Sequence, residues 1–300
     1  MMAEAFLRLR PFGAVETYRY VGLGSVYFSD FALFHAVCGF DTMISIEDAQ
    51  DAVIKRRFEF NLPLGGIALE FGHTNVTLPR LPWELRTVTW LDYDGPLSKE
   101  VLTDVRYLAA KVVPGSVIIV SVNANLEDEE TGEQDRLEVF TKRLADEQPL
   151  PDWVTKAGGV KPADINRLFR DVLFQTVTDA LNDRNAGRPP GQKYVAEQIF
   201  FFKYRDGAPM LTLGWVFFDE GQRGTFDNCA FSALTYTSAD DNPFNIDVPL
   251  ITNAEVREIN RCTAQPGGRA TTDLPIPNAE VTKYQKLKRY WPTIAAPELT

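Results

Sequence analysis

Apolar positions in the first 125 residues follow two alternating patterns. Short continuous runs, "RYVGLGS" (Arg19 to Ser25), "TMISIE" (Thr42 to Glu47), "GIALEFG" (Gly66 to Gly72), "RTVTWLDYDG" (Arg86 to Gly95) and "PGSVIIVSVNA" (Pro114 to Ala124), read as buried strands. Between them lie segments with apolar residues at three- and four-residue steps. "VYFSDFALFHAVCG" (Val26 to Gly39) offers Phe28, Phe31, Leu33, Phe34 and Val37 to a helix face, with Gly39 as its stop. "DAQDAVIKRRFEFN" offers Val53, Ile54, Phe58 and Phe60, and "SKEVLTDVRYLAAKVV" opens on a serine cap at Ser98. Strands alternating with helices predict a parallel sheet covered on both faces.

The alternation breaks at Leu126. The charged, proline-punctuated stretch to Gly191 holds one clear helix, "DINRLFRDVLFQTVTDALND" (Asp164 to Asp183). "YVAEQIFFFKYR" and "APMLTLGWVFFD", joined by Asp206-Gly207, carry a strong hairpin signal. Beyond Glu220 come a helix ("TNAEVREINRC"), a Gly/Pro-rich linker ("QPGGRATTDLPIPN", 265–278) and a basic-aromatic tail ("KYQKLKRYWPTI").

Composition narrows the options. A net charge of -10 over 300 residues opposes non-specific coating of nucleic acid. "KYQKLKRY" is the best local basic patch and reads first as the solvated face of a terminal helix. Three widely spaced cysteines (Cys38, Cys229, Cys262) give no zinc or disulfide pattern. The N-terminus lacks a signal-peptide core and no apolar run spans a membrane, so the expected location is the cytoplasm.

The opening stretch carries the first candidate site. Gly22 and Gly24 let backbone approach a ligand at a strand-to-helix turn. Glu47, closing the second strand, is placed to accept hydrogen bonds from ribose hydroxyls. Position 27 of this G-x-G-x-x-G frame is Tyr, which keeps the helix further from the strand. Asp92 and Asp94 stand two apart in "LDYDG", so in a strand both face the ligand crevice. Asp94 is the preferred general base, or half of a cation site with Asp92. His73 follows the third strand as a second candidate base or a pocket wall.

"YVGLGSVYFSDF…MISIE", "RRFEFNLP", "IALEFG", "WLDYDG" and "PGSVIIVSVNA", followed by the hairpin, resemble the cofactor-site motifs of a bacterial family of putative O-methyltransferases, within the class I S-adenosylmethionine-dependent methyltransferases. The resemblance implies a Rossmann-like, doubly wound α/β sheet of seven strands, order 3-2-1-4-5-7-6, with strand seven antiparallel. It implies a methyltransferase-like domain over 1–218 with a helical insertion at 126–193. Residues 219–300 form a C-terminal extension, packed on that domain or on a partner. It also implies S-adenosylmethionine as cofactor: Gly22, Gly24 and Ser25 at its methionine part, Glu47 at the ribose, Asp48 on the adenosine side. Phe71 and Gly72 would lie near adenine, and Asp92 by the amino group and methyl donor.

Methyl transfer to oxygen of a small-molecule acceptor is the expected activity. Two alternatives stay open: a non-catalytic methyltransferase-like subunit working through partners, and an NAD- or nucleotide-dependent enzyme on the same sheet. The absence of an NPPY-type loop disfavours base methylation. Tyr284, Tyr290 and Trp291 in the tail suggest docking to a second copy or another protein.

Overall fold

The computed structural model describes residues 1–126, 133–144, 149–154, 160–263 and 274–291, in two compact units, Met1–Phe244 and Asn245–Thr300. The first contains helix α1 (Met2–Leu7), strand β1 (Arg19–Leu23), α2 (Ser29–Cys38), β2 (Thr42–Glu47), α3 (Ala52–Phe60), β3 (Ile67–Phe71) and the single turn α4 (Thr74–Thr77). There follow β4 (Thr87–Pro96), α5 (Lys99–Lys111), β5 (Val117–Asn123), α6 (Glu133–Leu144), α7 (Ile165–Arg184), β6 (Tyr194–Asp206), β7 (Ala208–Asp219) and α8 (Arg223–Asn228). A two-residue strand, β8 (Phe244–Asn245), ends it.

The strands form one sheet in the order β3-β2-β1-β4-β5-β7-β6-β8. β1 to β5 run parallel, and β7 is antiparallel to both β5 and β6. The expected seven-strand order is therefore present, with β8 as an eighth, edge strand. Gly207, at φ +69°, supplies the left-handed residue of the β6–β7 turn.

β5 is continuous Val/Ile because it is covered on both faces: Val117 to Val122 are all buried. One face carries α5 and α7 and the main core, from Leu91, Leu102 and Val105 to Phe169 and Leu173. α7 is the crossover between β5 and β6, and its buried stripe (Leu168, Phe169, Val172, Leu173, Thr176, Val177, Ala180, Leu181) keeps helical spacing throughout. The other face is aromatic: Tyr20 meets Phe31 and Phe34 at 4.9 and 5.1 Å, and Phe6 of α1 meets Phe34 at 5.1 Å. α1 has no apolar periodicity long enough to read in the sequence, yet Ala5 and Phe6 are wholly buried.

Several apolar expectations fail. In α2, Phe31 and Phe34 are buried but Leu33 and Val37 are exposed, because Cys38 and Phe28 complete the inward face instead. α3 buries no residue: Val53 and Phe60 are 65% and 87% exposed, and Asp51 fixes the helix by accepting from the Val53 and Ile54 amides at 2.7 and 3.2 Å. Helicity there follows from the cap and local propensity, so apolar spacing misreads the face.

The second unit contains α9 (Asn253–Thr263) and α10 (Asn278–Leu287). Ile259, Cys262, Leu274, Ile276, Val281 and Tyr284 form its small core. Tyr284 donates to Asn260 Oδ1 at 3.0 Å and meets Trp291 edge-on at 5.7 Å, so two of the tail aromatics are used within their own unit. Lys283 pairs with Glu280 and Asp247. Most of the linker expected at 265–278 and the chain after Trp291 lie outside the described residues. Among the described residues no helix is long and apolar enough to cross a membrane, and the three cysteines are buried and unpaired.

Candidate functional site

The candidate residues gather at the carboxyl edge of β1, β2 and β4, where parallel strands hand over to loops. β1 ends at Leu23 and α2 begins at Ser29, later than the apolar spacing suggests. The intervening loop closes on itself: the Phe28 amide donates to the Ser25 carbonyl at 3.1 Å and the Tyr27 amide to Ser25 Oγ at 3.3 Å. Phe28 caps α2 in the left-handed region at φ 47°, its ring fully buried beside Phe31 and Phe58. Tyr27 is 80% exposed. At the position of the missing third glycine the tyrosine side chain thus leaves for solvent, and Phe28 takes up the turn.

The two glycines have different reasons. A Cβ on Gly22 would lie 2.8 Å from the Tyr20 hydroxyl, so this glycine admits the Tyr20 ring, which donates to Asp30 Oδ2 at 2.5 Å. A Cβ on Gly24 would collide with Glu47 Oε1 and Ser45 Oγ. Glu47 is 4% exposed, and Ser45 donates to its Oε1 at 2.6 Å. Burial pushes its carboxyl up to about 7; the Ser45 and Gly24 hydrogen bonds pull the other way, and nearby Asp30 adds to the rise.

Asp92 is half-buried on β4 beyond Trp90, and Asp94 is exposed two residues on, inside an irregularity between Asp92 and Pro96 that breaks the alternation expected to put both acids on one face. Asp92 is raised chiefly by burial, then by the charges of Asp94, Asp30 and Asp206, while a hydrogen bond from Ser121 opposes the rise. Asp30 is raised by burial as well. Tyr93 donates to Asp104 Oδ2 of α5 at 2.6 Å and packs against the main core.

Phe71 closes β3 between Phe58, at 6.5 Å, and the Lys55 ammonium, at 5.2 Å. The Gly72 amide donates to the Glu47 carbonyl at 3.0 Å, and Gly72 sits at φ +146°. Asp48 and His73 form an exposed pair, Oδ2 to Nδ1 3.0 Å. Among the described residues no three His, Cys, Asp or Glu side chains gather as a metal-ligand set.

The folded chain therefore shows two groups: Gly24, Ser45 and Glu47 in contact, with Asp48–His73 flanking, and Asp92 under the charges of Asp94, Asp30 and Asp206. Sequence reading missed Asp30, Ser45, Tyr20, Ser121, Tyr204 and Asp206. Asp30 lies in the first turn of α2, where an acid is ordinary and gives no local signal. The others are brought in by strand register. The first group presents a buried carboxylate acceptor packed into the space that the missing Gly24 side chain leaves. The second group suits a ligand end that carries positive charge.

Compared with known proteins, the family described as Putative O-methyltransferase matches residues 1–298. Comparison with curated proteins gave no match. Among solved structures, LepI in complex with SAM is 11% identical with a TM-score of 0.38, covering 71% of this chain and 46% of that one. The mitomycin 7-O-methyltransferase MmcR is 15% identical, TM-score 0.35, covering 71% and 52%. The N-methyltransferase NodS from Bradyrhizobium japonicum WM9 is 9% identical, TM-score 0.36, covering 73% and 95%. The chain spans less than half the length of the LepI structure.

Proposed function

The chain belongs to the Putative O-methyltransferase family, and on that premise we propose that it transfers the methyl group of S-adenosylmethionine to an oxygen of a small-molecule acceptor. The observation that carries this is Glu47: a carboxylate at the end of β2, buried against Gly24, at the carboxyl edge of a sheet in which five parallel strands are followed by an antiparallel hairpin. A buried acceptor there has use for a vicinal diol.

When bound, S-adenosylmethionine supplies an electrophilic methyl on a positively charged sulfur. The chain's residues hold and orient. Glu47 accepts from the ribose hydroxyls. Gly24, without a Cβ, admits the Glu47 carboxylate and the Ser45 hydroxyl against the turn after β1, and Phe71, Gly72 and the Asp48–His73 pair border the adenosine side. Asp92 faces the amino-acid end, where its charge, with those of Asp30 and Asp206, favours an ammonium and a sulfonium. Asp94, exposed on β4, would take the acceptor proton as the methyl passes to the acceptor oxygen and its bond to sulfur breaks. Alignment of acceptor oxygen and methyl carbon is the larger contribution. A soluble, cytoplasmic setting accords with this chemistry.

Calorimetric titration with S-adenosylmethionine, S-adenosylhomocysteine and NAD tests the reading. Micromolar binding of the adenosyl ligands and none of NAD supports it; the reverse order overturns it. A screen of hydroxylated metabolites with labelled methyl donor then identifies the acceptor.

A further inference from the structure

Asp104 of α5 is a carboxylate only 1% exposed, and none of the roles above uses it. Its Oδ2 accepts from two hydroxyls, that of Tyr93 on β4 at 2.6 Å and that of Thr74, the first residue of α4. A carboxylate oxygen has two lone pairs, so one atom serves both donors. Burial raises the Asp104 carboxyl, the two hydroxyls oppose the rise, and Glu100 adds to it. A leucine in this place would avoid the cost of burying a charge. What the acid supplies instead is one fixed point for two side chains from different segments.

Those segments carry the candidate site. Tyr93 stands between Asp92 and Asp94, where β4 leaves regular pairing: Asp92 faces Ser121 of β5, but Pro96 faces Asn123, so four steps of β4 span two of β5. A bulge of this kind re-aims the side chains it carries. Thr74 follows Gly72 and His73. The Gly72 amide donates to the Glu47 carbonyl at 3.0 Å, so the turn after β3 is tied to β2 at one end and to Asp104 at the other. β2 and β1 lie between β3 and β4 in the sheet, so strand pairing does not join the turn to the bulge directly. The Asp104 carboxylate joins them through side chains.

We propose that Asp104, through Thr74 and Tyr93, is a positioning residue that sets the β3–α4 turn, with Gly72 and His73, against the β4 bulge, with Asp92 and Asp94. This rests on the adenosyl-cofactor reading above, in which the turn borders the adenosine and Asp92 faces the amino-acid end.

The test compares two ligands on the full chain by calorimetry: S-adenosylhomocysteine, which carries the amino-acid end, and methylthioadenosine, which lacks it. Thr74→Val unties the turn and is expected to weaken both ligands alike, about fivefold, the size of one hydrogen bond. Thr74→Ser keeps the hydroxyl and should bind both as wild type does. Tyr93→Phe frees the bulge and should weaken S-adenosylhomocysteine about fivefold while methylthioadenosine stays within about twofold. Asp104→Leu should combine the two effects, with the larger loss for S-adenosylhomocysteine. If that variant does not fold, the two smaller changes still decide. A role in stability alone would leave both affinities unchanged in folded Thr74→Val and Tyr93→Phe, or lower both ligands equally in Tyr93→Phe. Either result overturns the positioning role, as does a Thr74→Ser that binds no better than Thr74→Val. Wild-type protein that binds neither ligand overturns the cofactor reading, and the role with it.

Discussion

Glu47 occupies the space that a side chain on Gly24 would take: its Oε1 and the Ser45 hydroxyl stand where a Cβ would be. The glycine and the acid belong to different strands, β1's following loop and β2, and each makes room for the other. Gly24→Ala is expected to displace the carboxylate rather than unfold the chain, since the colliding atoms are side-chain ends. Affinity for S-adenosylhomocysteine should fall about tenfold or more, measured by calorimetry, with an unchanged circular dichroism spectrum. Wild-type affinity in that variant would remove Gly24 and Glu47 from the site.

The burial of Glu47 makes stability depend on pH. Its carboxyl titrates near 7 in the folded chain against 4.5 as the ordinary value. Between those values the folded state holds the extra proton, so stability falls as pH rises through the window and levels off above it. The swing is about 3 kcal/mol, at roughly 1.4 kcal/mol per pH unit. Glu47→Gln should be more stable than wild type at pH 8 and nearly equal to it at pH 4.5, by urea unfolding. Cofactor affinity should show the opposite trend, rising to a plateau above about pH 7 as the carboxylate forms. The variant that gains stability should lose binding.

Asp92 and Asp94 separate by ligand. Asp92→Asn should weaken S-adenosylhomocysteine about tenfold by removing a charged partner. Asp94→Asn should leave that affinity nearly intact and lower turnover by roughly 10² to 10⁴ once an acceptor is known. An Asp94→Asn enzyme with full turnover would end its candidacy as base.

His73 and Asp48 pair at 3.0 Å, but their side chains are 69% and 54% exposed. His73→Gln should change unfolding stability by less than about 1 kcal/mol. As a pocket border, its loss should appear as a severalfold drop in adenosyl-ligand affinity. A drop in kcat of about 10² at unchanged affinity would instead assign His73 as the base.

Much of the fold was legible because its signals are local. Continuous Val/Ile in β5, helical spacing in α5 and α7, Gly39 as a stop and Asp206-Gly207 as a hairpin each follow from the conformational preferences of a few neighbouring residues. The places of Gly24 after β1 and of Glu47 at the end of β2 were legible too, since the spacing of a strand-turn-helix-strand unit fixes where a second-strand acid falls. Local pattern failed where burial decided the outcome: α3 keeps its helix without burying Val53 or Phe60, and α1 is buried without a pattern long enough to show it. The sequence could not reveal that Tyr20 needs Gly22, that Asp30 joins Asp92, or that Ser121 meets Thr212 from far along the chain. Those relationships exist only through sheet order and register, which place side chains from distant segments in one row. Register is settled by packing both faces of the whole sheet at once, a property no single segment carries.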